Sequence, residues 1–267
     1  MAFQPIPRAA ALLLLAVLLV ACQRSEEKRE NASGIPAALL AMKPKEDPTA
    51  VAVLMYHYIE SHDDARDPRG ADLFVPTDMF EQQLQWIVAH GYRTIDLHTY
   101  LALRSRAINE PKKSIILTFD DGYADAFQNV FPLLQKYHQK AVFYIVSGFL
   151  GKPGYMTMDQ VKTLHDAGMT IAGHTVSHVD LRFLSAKELR HQLEESKKTL
   201  EALIDAPVDH FAYPAGRYNS RVIEMVQALG YKTAVTTHHG VARARDPLLQ
   251  LPRVRMTKRT NLAAVLP

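Results

Sequence analysis

The chain has one cysteine in 267 residues, Cys22. A lone thiol cannot close an intramolecular disulfide, so no internal cross-link can stabilise the fold. Charge of one sign is equally scarce: 31 Lys+Arg against 28 Asp+Glu leave a formal net charge of +3. No basic run is interleaved with aromatics, and together these observations exclude the electrostatic footprint of a nucleic-acid partner. The apolar run at residues 9–21 is too short to span a bilayer comfortably. No glycine-rich phosphate loop follows the first strand-like segment, which removes the signature of an open nucleotide-binding sheet. Apolar residues are plentiful, at 48%, and in a chain of this length they can bury a sizeable core.

The first fifty residues stand apart from the rest. Arg8 supplies a short basic start, and residues 9–21 form an apolar run of signal-peptide length. The run ends Leu19-Val20-Ala21-Cys22, which resembles the lipobox of bacterial lipoproteins. That resemblance implies a signal peptide over residues 1–21, cleavage before Cys22 and lipidation of Cys22. Gln23 follows where an inner-membrane retention signal would carry aspartate, so the expected location is the outer membrane, facing the periplasm. Residues 22–50 are polar, charged and broken by Pro36, Pro44 and Pro48. Such a segment cannot bury enough apolar surface to order itself and reads as a flexible tether. The folded domain is expected over residues 51–267.

From Val51 onward, short apolar runs alternate with amphipathic stretches. Strands are expected at 51–55, 114–119 and 141–146. A helix is expected over 78–90, with Phe80, Leu84, Ile87 and Val88 on one face, and another after residue 119, running through Leu134. Thr157 with Gln160, and Ser185 with Glu188, have the spacing of capping boxes that open two more helices. Three helix ends read Gly-then-apolar (Gly91-Tyr92, Gly168-Met169, Gly230-Tyr231), each leading into a strand-like segment. Repeated helix–strand units point to an α/β fold with a mostly parallel sheet, and a (β/α) barrel is the more economical closure. His57, Asp120, Asp121, His174, Tyr213, His238 and Arg253 all fall at or near expected strand ends. In a β/α barrel those ends form the reactive rim.

Two motifs carry chemistry. Thr118-Phe119-Asp120-Asp121-Gly122 sets two carboxylates side by side at a strand end. They repel unless a cation binds one, which would leave the other ionised as a base. Read alone, Asp-Asp-Gly is equally a turn. His174-Thr175-Val176-Ser177-His178 spaces two imidazoles four apart, able to join Asp121 around one divalent ion with positions left open for water and substrate. His62, His90, His138, His165 and His191 have no such partners. The two motifs in this order resemble the NodB-homology polysaccharide deacetylases, carbohydrate esterase family four, over residue 51 to the C-terminus. The resemblance implies a distorted (β/α) barrel. It also implies Asp120 as general base, Asp121, His174 and His178 as metal ligands, and zinc as the expected ion. The loop Phe211-Ala212-Tyr213-Pro214-Ala215-Gly216 would supply a backbone N–H to the oxyanion, with Tyr213, Pro214 and Ala215 against the substrate.

The chain departs from that family pattern at two places. Ala212 stands where the family commonly has an arginine that steers the base; Arg253 is the natural substitute and a candidate substrate-binding residue, with a plain surface arginine as the other reading. No Leu-x-Leu-His segment supplies the acid, which leaves His57 as the candidate and His238 as the poorer one. The Met55-Tyr56-His57 segment, the Phe211–Pro214 stretch and the late Leu251-Pro252-Arg253 resemble biofilm poly-N-acetylglucosamine deacetylases. The expected substrate is therefore an acetylated amino-sugar polymer, with poly-β-1,6-N-acetylglucosamine leading. Peptidoglycan, chitin-type oligosaccharides and acetyl-xylan remain open. No additional glycan-binding domain is expected after residue 267. Two rival readings carry different chemistry: a two-His-one-carboxylate iron oxygenase, and a glycan-binding lipoprotein without activity.

Overall fold

Seven parallel strands close on themselves around a packed interior. The computed structural model describes residues 50–60, 71–108 and 113–266, all within one compact unit, Asp47–Pro267. The expected signal peptide, Cys22 and the tether up to residue 49 lie outside the described residues. Strands β1 (Ala52–Tyr56), β2 (Arg93–Thr94), β3 (Ser114–Phe119), β4 (Val142–Ile145), β5 (Thr170–Gly173), β6 (His210–Ala212), β7 (Thr233–His239) and β8 (Leu251–Arg255) form one sheet. Its order is β1-β8-β7-β6-β5-β4-β3-β2, and an added β1–β3 pairing closes the ring. The short β2 pairs only with the start of β3. This is the expected (β/α) barrel. Among the described residues no helix is long and apolar enough to cross a membrane.

The two-residue period of the strands sorts the side chains into two apolar layers. Val53, Ile116, Val142, Tyr144, Ala172, Ala212, Val235 and Leu251 belong to one, with Leu97, Tyr100 and Leu103 of helix α2 (Leu97–Arg104). Leu54, Leu117, Phe143, Ile171, Phe211 and Val254 belong to the other, which includes apolar residues from the flanking helices. Thr118 shares the parity of Ile116, and Arg253 that of Leu251. The strand period therefore sends these polar groups towards the barrel interior, and Asp120 continues the Thr118 series.

The helices follow their caps. In α1 (Thr77–Ala89) the buried residues are Phe80, Gln83, Leu84 and Ile87, whereas Val88, expected on that face, is 46% exposed. At 100° per residue Val88 lies about 80° from Phe80 and Gln83 about 60° the other way. The buried face is therefore centred towards Gln83, whose Oε1 accepts from the Tyr56 hydroxyl at 2.8 Å. The helix expected through Leu134 is interrupted by a π turn, Ala126–Val130, before α3 (Phe131–Lys136). Pro132, which has no N–H to give to the ladder, lies just after that irregularity. Both expected capping boxes are present, at the starts of α4 (Met158–Asp166) and α5 (Ala186–Ile204). Helices α6 (Ser220–Ala228) and α7 (Leu262–Val265) complete the set.

At the start of β6 the His210 ring is buried, and its Nε2 has no hydrogen-bond partner among the described residues. Burial lowers its pKa from 6.5 to about 3. A buried neutral histidine stabilises the fold fully above its unfolded pKa, and that contribution fades as pH falls from about 6.5 towards 3. The slope within the window is about 1.4 kcal/mol per pH unit, and the whole is on the order of 5 kcal/mol. His210→Gln should therefore flatten the dependence of Tm on pH below about 6.5. An unchanged slope in thermal melts would refute this account of His210.

Candidate metal centre and its rim

The functional side chains come from loops that begin where strands end. Asp120 and Asp121 follow β3, and His174 and His178 follow β5. Asp121 (φ 73), Thr175 (φ 68), His178 (φ 52) and Ala215 (φ 50) all sit in the left-handed region. That conformation is uncommon for any non-glycine residue and a clear outlier for a β-branched one such as Thr175. Such strain costs roughly 1–3 kcal/mol per residue and persists only where surroundings impose it. Helix α5 imposes it on the histidine loop. Gln192 Oε1 accepts from the N–H of Val176 and of Ser177, each at 3.1 Å, and Ser196 Oγ donates to the Thr175 carbonyl at 3.0 Å. Within the loop, the His178 N–H donates to Thr175 Oγ1 at 2.9 Å.

Three atoms converge. His174 Nε2 lies 3.2 Å and His178 Nε2 3.3 Å from the same oxygen, Asp121 Oδ1. Among the described residues these three form the one group of His, Cys, Asp or Glu whose ligand atoms lie within 4.8 Å of one another. That oxygen is buried and has no hydrogen-bond partner among the described residues. His174 Nδ1 donates to the Ala212 carbonyl at 2.7 Å, which fixes the tautomer and leaves Nε2 as a lone-pair donor. An orphaned carboxylate oxygen facing two imidazole nitrogens fits a divalent cation, and zinc accepts this donor set. Burial opposes ionisation of Asp121, but His174 first, then His57 and His178, hold its carboxyl well below the usual range.

Asp120 turns the other way. Arg253 Nη1 donates to Asp120 Oδ1 at 2.7 Å and Nη2 to Oδ2 at 2.6 Å. The guanidinium also reaches Thr118 Oγ1 at 3.0 Å and, through Nε, the Thr236 carbonyl at 2.9 Å. The Arg253 side chain is 0% exposed, so the surface-arginine reading is excluded. Arg253 does not end its strand as expected but sits in the middle of β8, facing inward, where its donors go to Asp120, Thr118 and the Thr236 carbonyl. Burial pushes the Asp120 carboxyl up, but the charge and hydrogen bonds of Arg253 outweigh it and hold the group below the ordinary aspartate range.

His57 follows β1, with Nε2 3.9 Å from Asp120 Oδ2. Burial lowers its pKa against the opposing pull of Asp120 and Asp121. His238 is exposed, 5.9 Å from Tyr218 between ring centroids. Tyr213 is buried, and its hydroxyl donates to the Leu249 carbonyl at 2.9 Å. Pro214 is buried beside it and Ala215 is exposed. In this loop the N–H groups of Tyr213, Gly216 and Arg217 already donate to backbone carbonyls, and Pro214 has none. The Ala215 N–H has no backbone acceptor among the described residues. Sequence reasoning missed Gln192, Ser196, Thr236 and Tyr144, whose ring lies 5.6 Å from the Arg253 guanidinium carbon. The shared parity of Tyr144 with buried Val142 on β4 was the signal that could have found it.

Comparison with known proteins agrees with this geometry. The polysaccharide deacetylase family profile matches residues 107–234. YxkH of Bacillus subtilis (strain 168), assigned to the polysaccharide deacetylases, is 30% identical over 212 residues, covering 79% of this chain and 73% of YxkH. The solved structure of the Streptococcus pyogenes deacetylase PplD with acetate superposes with a TM-score of 0.77 at 32% identity, covering 82% of this chain and 98% of PplD. The poly-β-1,6-N-acetyl-D-glucosamine N-deacetylase of Escherichia coli (strain K12) is 26% identical over 94% of this chain, which spans only 43% of that enzyme's length.

Proposed function

Because the chain belongs to the polysaccharide deacetylase family, we propose that it is a metal-dependent hydrolase removing N-acetyl groups from an N-acetylglucosamine-containing polysaccharide. The observation that carries this reading is the division of two adjacent carboxylates: Asp121 faces two imidazoles, and Asp120 is gripped by a buried arginine. A divalent cation held by Asp121, His174 and His178, with zinc the proposed ion, would polarise the acetamide carbonyl as a Lewis acid and ease ionisation of the attacking water. Asp120, kept ionised by Arg253, accepts the proton that this water gives up. The Ala215 N–H donates to the carbonyl oxygen as it gains charge.

His57 is the proposed donor to the departing amine, since it lies beside Asp120 and an amide nitrogen leaves poorly without a proton. His57→Ala should spare metal content and slow amide hydrolysis far more than cleavage of an activated acetyl ester, whose leaving group needs no help. Equal slowing on both substrates would remove His57 from this role and turn attention to His238.

Poly-β-1,6-N-acetylglucosamine is the proposed substrate. The likeness to the Escherichia coli enzyme supports it, as do the Met55-Tyr56-His57 and Leu251-Pro252-Arg253 segments. Acetate release from N-acetylated β-1,6-glucosamine oligomers, peptidoglycan fragments and chitooligosaccharides should show the highest kcat/KM on the first. A higher value on either other glycan reassigns the substrate, and release from none defeats the deacetylase reading. The proposed location is the envelope, lipid-anchored through Cys22 and facing the periplasm from the outer membrane. Cys22→Ser should abolish labelling by a fatty-acid probe and leave the protein unprocessed or soluble. Unchanged membrane association would exclude the anchor.

A further inference from the structure

A ladder of five aromatic rings runs across the rim beside Asp121. Phe74 stacks on Tyr58 at 4.5 Å between centroids, and Tyr58 on Tyr123 at 4.0 Å. Tyr123 meets Tyr155 at 5.2 Å, and Tyr155 meets Phe149 at 4.9 Å. The first two rings are buried, while Tyr123, Tyr155 and Phe149 are only partly covered. Tyr123 lies two residues beyond Asp121, so the ladder emerges from the core at the candidate metal centre and continues outward along one loop.

That loop, between β4 and α4, is pinned at both edges to the backbone that carries the ligands. On one edge the Ala124 N–H donates to the Gly154 carbonyl at 2.9 Å, and the Met156 N–H to the Gly122 carbonyl at 3.0 Å. On the other, the Ser147 N–H donates to the Thr175 carbonyl at 3.1 Å and the Gly148 N–H to the Val176 carbonyl at 2.9 Å. Gly148 permits this approach because a Cβ there would lie 2.4 Å from the Val176 carbonyl oxygen. Tyr155 and Phe149 are therefore held in fixed register with Asp121 on one side and with the His174–His178 loop on the other. Partly exposed aromatic faces set rigidly beside a reaction centre suit the apolar C–H face of a pyranose. The Lys152 ammonium covers one face of Phe149, 4.6 Å from its centroid, which leaves the other face and the Tyr155 ring, whose hydroxyl adds a polar edge.

We propose that Tyr155 and Phe149 form a stacking subsite for the sugar ring adjoining the one whose acetamide is hydrolysed, so that the enzyme selects polymer over single sugars. This rests on the deacetylase reading above. The subsite holds substrate and takes no part in proton transfer, so its loss should appear in KM.

The test uses the full chain loaded with zinc and N-acetylated β-1,6-glucosamine oligomers of one to six units. Tyr155→Ala and Phe149→Ala should each raise KM roughly three- to tenfold on oligomers of two or more units, the loss of one aromatic contact. The increase should be absent on the single sugar, with kcat within about twofold throughout. Tyr155→Phe keeps the ring and should restore most of the affinity. Three results overturn the subsite. They are an unchanged KM at every length, an increase that includes the single sugar, and a fall in kcat matched by loss of activated-ester hydrolysis, which marks a purely structural role. Wild-type protein that releases acetate while the variants' KM defect is absent, or is the same at every length including the single sugar, defeats the subsite alone. Wild-type protein that releases none defeats the deacetylase reading and the subsite with it.

Discussion

Asp120→Asn should bind as much zinc as the wild-type protein yet turn over at least about a hundredfold more slowly, the usual cost of losing a general base. Asp121→Asn should lose both zinc and activity. The contrast follows from geometry: both imidazole nitrogens face Asp121 Oδ1, whereas both Asp120 oxygens face Arg253. Asparagine at 120 keeps one acceptor for the guanidinium but no charge, so the variant should also melt earlier and is best assayed well below its Tm. Metal content by elemental analysis, paired with acetate release, checks the prediction. Equal zinc loss in the two variants would mean the division of roles is wrong.

Arg253→Leu should be among the most damaging single changes in the barrel. It strands an ionised carboxylate in the interior, and breaking one partner of a buried pair costs about 3–5 kcal/mol. Asp120 should then lose the influence that keeps it ionised, because burial alone pushes its carboxyl upward. Activity should fall with stability, but zinc binding by the folded fraction should survive. The double variant Arg253→Leu with Asp120→Asn should be less destabilised than the sum of the single changes, because no buried charge is left alone. Urea unfolding of the four proteins measures the coupling. Strict additivity would show that the two groups do not act as a pair.

The barrel was legible in the sequence because each level agreed. Apolar runs marked the strands, capping boxes at Thr157 and Ser185 opened two helices, and the polar residues fell near strand ends. The candidate metal centre was legible because Asp121, His174 and His178, which the structure brings together, lie in two short motifs. Arg253 shows where such reading stops. Its identity suggested a rim or surface position, and only ring closure through the β1–β8 and β1–β3 pairings brings it against a carboxylate 133 positions away. Val88 failed for a smaller reason, since a buried glutamine moved the centre of the helix face. Gln192 and Ser196 had no local signal at all: polar residues within an amphipathic helix read as solvent-facing until the loop they support is seen.

The central claim is that Asp121, His174 and His178 hold a cation required for removal of acetyl groups. Its most direct test is acetate release from N-acetylated β-1,6-glucosamine oligomers by protein that has been chelated, dialysed and reloaded with one equivalent of zinc. Activity should vanish on chelation and return with zinc, while His174→Ala protein should stay inactive under the same reloading. Undiminished release from fully chelated protein would contradict the claim.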